Sequence, residues 1–222
     1  MTREQTARRR KRLWIILGVL LAAILLVCAG FAVYVGDYYH ADETAVQAMA
    51  PADGIVPSKA DGDDLVFAPP SPKAGLIFYP GGKVEYTAYA PLMRACAERG
   101  ILCVLVKMPC NLAVLDMNAA DGIAEQYPDI DAWYIGGHSL GGAMAAAYAA
   151  DHSGELDGLI LLAAYSTKDL NGSGLEVLSV YGSEDRVLNR EKYEGYRGSL
   201  PAGAVEIVID GGCHAGFGSY GP

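Results

Sequence analysis

The sequence predicts an α/β fold with a mostly parallel sheet and helices on both faces. Short apolar runs recur along the chain, segments with helical spacing separate them, and glycine or proline marks most of the boundaries. Near-continuous apolar strands are typical of a parallel sheet whose strands are buried on both faces. With 222 residues, 52% of them hydrophobic, the chain can form one domain with a substantial core.

The individual elements follow from these patterns. Each predicted strand is an aliphatic or aromatic run, and most of the predicted helices end at a glycine or shortly before a proline. Between residues 53 and 72 only short β-like pieces occur, at 54–56 and 65–68. In chain order the later elements are strand 76–79, helix 86–99, strand 101–108, helix 112–126, strand 132–136, helix 140–151, strand 159–164, strand 177–181, helix 189–199 and strand 205–209.

An uncharged apolar segment near the N-terminus, residues 13–36, predicts one transmembrane helix. A helix of this length reaches roughly 36 Å, which is enough to cross a bilayer core of about 30 Å. Trp14 lies at one end and several tyrosines lie at the other, as in an interfacial aromatic belt. Two alternatives remain open, a cleaved signal peptide and a lipid anchor on Cys28. We expect a cytoplasmic tail 1–12, a signal anchor 13–36, a juxtamembrane linker 37–53, in which 37–50 could form a short helix, and a domain 54–222.

The charge is unevenly distributed. The net charge is −9, yet residues 1–12 contain six basic residues and one acidic residue, which leaves −14 on the remainder. The basic tail predicts a single-pass protein of the cell membrane, with a cytoplasmic N-terminus and a translocated, extracytoplasmic domain. An acidic domain argues against nucleic acid as a partner, because phosphate binding needs a basic face.

The stretch from Gly137 to Gly141, GHSLG, carries the strongest functional signal. It matches G-x-S-x-G, the nucleophile elbow, in which a serine occupies a strained turn between a strand and a helix. The pattern alone is weak, but here it follows a predicted strand and begins a predicted helix, which is the context that the motif requires. The position predicts Ser139 as a nucleophile.

A serine hydroxyl needs a base, and the elbow predicts the chain order serine, acid, histidine. Asp185 follows strand 177–181 and His214 follows strand 205–209, so both should lie at the ligand-binding edge of the sheet. Glu184 is the rival acid. Asp185 could also be a helix cap, and His214 a histidine in an ordinary turn. His138 is interpreted only as the variable residue of the elbow.

With these residues in place, the chain resembles the α/β-hydrolase fold family, and within it the compact group akin to dienelactone hydrolase, of the family 5 type. The stretches FYPGGKVEYTAYAPL, GGHSLGGAMAA, VYGSEDRV and GGCHAGFGSYG carry the resemblance. It implies an oxyanion hole formed by two backbone N–H groups, from Leu140 and from Gly82, with Gly81 as the alternative. Dienelactone hydrolase itself has a cysteine nucleophile, whereas this chain has serine.

The segment between strands 159–164 and 177–181 is too short for a lid, so we expect a lidless domain. Members of this fold normally continue into a final helix, whereas this sequence stops soon after His214. Either the sequence is a truncated product or the domain ends unusually early. A disulfide between Cys110 and Cys213 would suit an exported domain, but their strands should be several positions apart.

The function expected from these residues is hydrolysis of an ester or related acyl bond in a small-molecule or lipid substrate, with no metal or organic cofactor. The alternative is a non-catalytic module that keeps the fold for binding or scaffolding at the membrane surface. Acyl length and oligomeric state are not readable from the sequence.

Overall fold

In the computed structural model, which describes residues 3–221, the chain forms two compact units. One ends at Asp37 and the other begins at Tyr38. The first unit is a single helix, α1 (Arg3–Gly36), so the basic tail from Arg3 onward continues the apolar helix. Within the described residues, 10–36 is the one helical stretch long and apolar enough to be a candidate membrane span.

The second unit contains eight strands and four helices among the residues described. The strands are β1 (Ser58–Lys59), β2 (Leu65–Phe67), β3 (Ala74–Tyr79), β4 (Ile101–Leu105), β5 (Trp133–His138), β6 (Gly158–Leu162), β7 (Glu176–Gly182) and β8 (Val205–Ile209). The helices are α2 (Glu43–Ala48), α3 (Ala90–Ala97), α4 (Leu140–Asp151) and α5 (Arg190–Tyr196).

All eight strands form one sheet in the order β1-β2-β4-β3-β5-β6-β7-β8. The strands from β4 to β8 in this order pair in parallel, and β1 and β2 add an antiparallel edge. The predicted class, a mostly parallel sheet with helices, is therefore confirmed. Because the parallel strands run in one direction, the loops after β3, β5, β7 and β8 all open at the same edge of the sheet.

Each face of the sheet has its own core. On one face, α4 packs on an interior that includes Ile77, Ile135 and Leu161, and α5 buries Tyr193 beside β7. On the other face, α3 packs on β4 and β2, and α2 packs on α3. The far half of that second face, at β6 to β8, has no helix over it among the described residues. Its apolar side chains form a groove of ≈ 990 Å³ and are half-buried or exposed; they include Ile160, Leu178 and Val205.

The predicted helix 112–126 is wrong. Only two 3-10 turns form there, Ala113–Leu115 and Ala124–Gln126. The hydroxyl of Tyr79 donates to the carbonyl oxygen of Met117 and accepts from the N–H of Ala120, both at 2.9 Å, so it replaces helical backbone hydrogen bonds. Gly122 then has a φ of 73°, a left-handed conformation incompatible with continuing a helix.

The segment 37–53, expected to be a linker, contributes to the second unit. Asp42 caps α2 by accepting from the N–H of Ala45 at 3.0 Å, and Ala45 is fully buried. The guanidinium of Arg94 on α3 donates to the carbonyl oxygen of Ala48 at 2.6 Å. Residues 42–48 are therefore packed against the domain, a feature that composition alone does not indicate.

Candidate active site

The turn between β5 and α4 holds Ser139 in a strained conformation. Its φ is 52° and its ψ is −120°, a region that side-chain-bearing residues seldom occupy. The N–H of Ser139 donates to the carbonyl oxygen of Leu162 at 2.9 Å, which fixes the turn against β6. A Cβ at Gly137 would lie 2.6 Å from the backbone of Gly141, and a Cβ at Gly141 would lie 2.2 Å from the carbonyl oxygen of Pro80. Both glycines of the motif are therefore required by close backbone packing.

A second close approach brings the loops after β7 and β8 together. A Cβ at Gly182 would lie 2.0 Å from the carbonyl oxygen of Gly212, so only glycine fits. The N–H of Glu184 donates to that same oxygen at 2.9 Å. This contact places Asp185 and His214, which are far apart in sequence, within hydrogen-bonding distance.

The carboxylate of Asp185 is fully enclosed. Its Oδ1 accepts from the N–H groups of Val187 and Leu188 at 2.9 and 2.8 Å, and its Oδ2 lies 2.8 Å from Nδ1 of His214. Burial opposes ionisation, but the two backbone donors and the imidazole outweigh it and lower the pKa of Asp185. Glu184, the rival acid, is exposed and lies 3.8 Å from Arg186. Of the two acids, the structure brings Asp185 to the histidine.

Ser139 and His214 line one cavity of ≈ 450 Å³. No hydrogen bond joins the Ser139 hydroxyl to the imidazole within the described part of the chain, and in unliganded sites such bonds are often long. Since Nδ1 of His214 faces Asp185, Nε2 is the ring nitrogen left for the cavity. Gly81 and Gly82 line the same cavity.

The turn after β3 separates the two candidates for the oxyanion donor. The N–H of Gly81 already donates to the hydroxyl of Tyr89 at 3.0 Å. A Cβ at Gly82 would lie 2.9 Å from Cδ2 of Leu140, so these two residues are in contact. The N–H of Leu140 is the first of α4 and has no partner within the helix. The geometry therefore favours Gly82 with Leu140 over Gly81.

His138, interpreted from the sequence as a variable residue, is central to this site. It is 1% exposed, and its Nε2 lies 2.9 Å from the carbonyl oxygen of His214. A carbonyl can only accept, so Nε2 carries the proton and Nδ1 is the acceptor. Tyr89 therefore donates its hydroxyl proton to Nδ1, at 2.8 Å. The sequence offered one signal, a polar residue at the end of an apolar strand, and offered none for Tyr89.

A buried series of hydrogen bonds runs from the Gly81 N–H through Tyr89 and His138 to the His214 carbonyl. We call this series of hydrogen bonds the Tyr89–His138 chain. Burial lowers the pKa of His138 to about 3, and the neighbouring His214 adds to this effect. Burial also raises the pKa of the Tyr89 hydroxyl. Both groups therefore stay neutral near pH 7, as the assigned proton positions require.

The remaining candidates do not join this site. Cys110 and Cys213 are free and exposed, so the structure contains no bond between them. Within residues 3–221, no group of three or more histidine, cysteine or acidic side chains is arranged to hold a metal ion.

The comparisons with known proteins agree with this architecture. The model of the alpha/beta hydrolase family matches residues 75–222, which is more than half of the chain. The chain therefore belongs to the α/β-hydrolase family. No curated protein matches the sequence.

Solved structures share the fold at low identity. TT1662 from Thermus thermophilus has a TM-score of 0.58 at 17% identity, with 72% of this chain and 90% of that chain covered. Est1E from Butyrivibrio proteoclasticus has a TM-score of 0.55 at 15% identity, covering 73% and 90%. A bacterial membrane phospholipase A has a TM-score of 0.55 at 13% identity, covering 93% and 92%. At such identities the likeness concerns the fold.

The low pKa of His138 predicts a pH-dependent stability. Unfolding raises this pKa from about 3 to 6.5, so between these values the unfolded chain binds a proton that the folded chain does not. Stability should therefore fall as pH drops from 6.5 toward 3, by up to roughly 1.4 kcal/mol per pH unit from this group. We expect His138→Gln to flatten this slope, measured by denaturant unfolding of the detergent-solubilised full chain.

Tyr89→Phe is the matched control, because it removes a hydrogen bond to the same ring but leaves the titrating imidazole. It should lower stability and keep the steep slope. An unchanged slope in His138→Gln would contradict the assignment of a buried neutral imidazole.

Proposed function

We propose that the protein is a membrane-anchored serine hydrolase that cleaves an ester or related acyl bond. One observation carries the proposal: the 2.8 Å hydrogen bond between His214 and Asp185 borders the cavity that also contains the strained Ser139. A partly buried imidazole, oriented by a carboxylate and placed beside a serine on a nucleophile elbow, is the arrangement that acyl transfer requires.

Each residue then has one role in the mechanism. Ser139 Oγ attacks the acyl carbon while Nε2 of His214 takes its proton. Asp185, kept ionised by its lowered pKa, holds the imidazole and stabilises the imidazolium. The imidazolium returns the proton to the leaving group, and a water activated by the same imidazole then releases the acyl group.

The negative charge that develops on the carbonyl oxygen needs donors at a fixed position. The N–H groups of Gly82 and Leu140 take this role in the proposal, because Gly81 is engaged by Tyr89. Preorganised donors of this kind contribute on the order of 3–4 kcal/mol each to transition-state stabilisation. None of these steps calls for a metal or an organic cofactor.

The names of two structural neighbours support an acyl substrate. One is esterase 2 from Thermogutta terrifontis, and the other is a membrane phospholipase A. The latter matches over 93% of this chain. Family membership supports hydrolysis in general, and the choice of an ester bond rests on these neighbours and on the elbow.

We expect Ser139→Ala to lower kcat by about 10⁴-fold or more while the fold is retained, because only the serine oxygen can form the acyl intermediate. A fluorophosphonate probe should label the wild type and not the variant. Ser153→Ala, which changes a serine just beyond α4, is the matched control and should label normally. A labelled Ser139→Ala variant would mean that another residue is the nucleophile, and a wild type that never labels would favour the non-catalytic binding module.

We also propose that α1 spans the cell membrane with its basic end in the cytoplasm. The first residues after Gly36 include Asp37, Asp42 and Glu43 and no lysine or arginine, so the basic residues near the span are all on the N-terminal side. Protease added to intact cells or protoplasts should digest the domain and spare the N-terminal tail. A domain protected until the membrane is opened would reverse the orientation, and a released species starting near residue 30–50 would indicate a cleaved signal.

A further inference from the structure

We infer that the substrate is an acyl ester of a membrane amphiphile, presented to the site from the bilayer to which the protein is anchored. The inference rests on the proposed serine hydrolase function and adds the substrate class. It arises from the position of Tyr39, which lies three residues after the end of α1 and lines the cavity of Ser139 and His214.

The chain that leaves α1 is fastened to the rim of this cavity. The N–H of Tyr39 donates to the carbonyl oxygen of Lys83 at 2.8 Å, and the N–H of Glu85 donates to the carbonyl oxygen of Tyr39 at 2.9 Å. Lys83 directly follows Gly82, the proposed oxyanion donor. The segment that connects to the membrane helix therefore pairs with the turn that would hold the reacting carbonyl.

Two further contacts fix the other side of the rim. The N–H of Asp42 donates to the carbonyl oxygen of Ser219 at 3.0 Å, and Ala41 forms an antiparallel bridge with Tyr220. Tyr220 also lines the cavity, and its ring lies 5.6 Å from the ring of Tyr39. Residues 39–42 are therefore fixed beside the site, with Tyr39 in the cavity wall, and leave little free linker.

Covalent geometry then limits the distance between the cavity and the bilayer. Three residues span at most about 10 Å, whichever angle the two units adopt. The polar headgroup layer on each side of a bilayer is roughly 5–8 Å thick. The rim at Tyr39 is thus held within about one headgroup layer of the apolar helix end, where the ester bonds of membrane lipids lie.

The lining of the cavity suits such a substrate. Tyr39, Val84, Val187 and Tyr220 give it apolar walls, and none of its lining residues is a lysine or arginine. The net charge of −14 outside residues 1–12 also disfavours an anionic headgroup, because like charges repel. We therefore assign a neutral or zwitterionic lipid ester as the substrate class.

The test compares a lipid ester in the bilayer with an ester in solution. The full chain is reconstituted into phosphatidylcholine vesicles, and fatty acid release from the lipid is measured beside hydrolysis of p-nitrophenyl butyrate. One variant carries about twelve inserted Gly and Ser residues between Gly36 and Asp37, which adds roughly 20 Å of flexible reach. The matched control carries the same insert between Met1 and Thr2, on the other side of α1.

We expect the Gly36–Asp37 insert to leave kcat/KM for the soluble ester unchanged and to lower lipid hydrolysis about tenfold, since effective concentration falls steeply as the tether lengthens. The control should change neither rate. Unaffected lipid hydrolysis in the insert variant would overturn the inference, as would a wild type that cleaves the soluble ester but not the lipid. A wild type that cleaves neither would refute the proposed function itself, and the substrate class with it.

Discussion

The site depends on one buried set of hydrogen bonds, the Tyr89–His138 chain. It connects the turn after β3, the end of β5 and the loop after β8. In the proposed mechanism these three places supply an oxyanion donor, the nucleophile and the base, in that order. Because each proton in the chain has one allowed position, the three backbone segments cannot shift independently. Breaking the chain would leave buried polar groups without partners, at a cost of about 1–3 kcal/mol each.

Glycine makes this convergence sterically possible. Gly81 must lack a side chain, because a Cβ there would lie 2.7 Å from the Tyr89 hydroxyl and 2.8 Å from Nδ1 of His138. Gly141 and Gly182 are needed for the same kind of reason, against the carbonyl oxygens of Pro80 and Gly212. The glycine-rich composition of the sequence is thus explained in part by backbone segments that pack directly against each other at one edge of the sheet.

The fold class and the position of the elbow could be predicted from the sequence, because both depend on local patterns. Strand β8 and helix α4 begin and end at the predicted residues, since an apolar run or an alanine-rich helix needs no long-range information. The predicted helix at 112–126 failed because a distant hydroxyl, that of Tyr79, supplies the hydrogen bonds there. Local propensity carries no signal for such a contact.

The candidate site divides in the same way. The order along the chain and the places after strands are enough to predict Ser139, Asp185 and His214 as site residues. The sequence favours Gly82 with Gly81 as the alternative, and it gives no sign of which N–H group Tyr89 engages. The roles of His138 and Tyr39 were missed for a related reason: one acts through tertiary hydrogen bonds, and the other reaches the cavity only because residues 39–42 pair with the rim.

The central claim is that the Tyr89–His138 chain engages Gly81 and leaves Gly82 and Leu140 to receive the oxyanion. A crystal structure of the full chain in detergent, with a phosphonate bonded to Ser139, tests it most directly. The phosphonyl oxygen should lie about 2.7–3.1 Å from the backbone nitrogens of Gly82 and Leu140, with the Gly81 N–H still donated to Tyr89. A phosphonyl oxygen bound to the Gly81 N–H, with the Tyr89 hydroxyl displaced, would contradict the account.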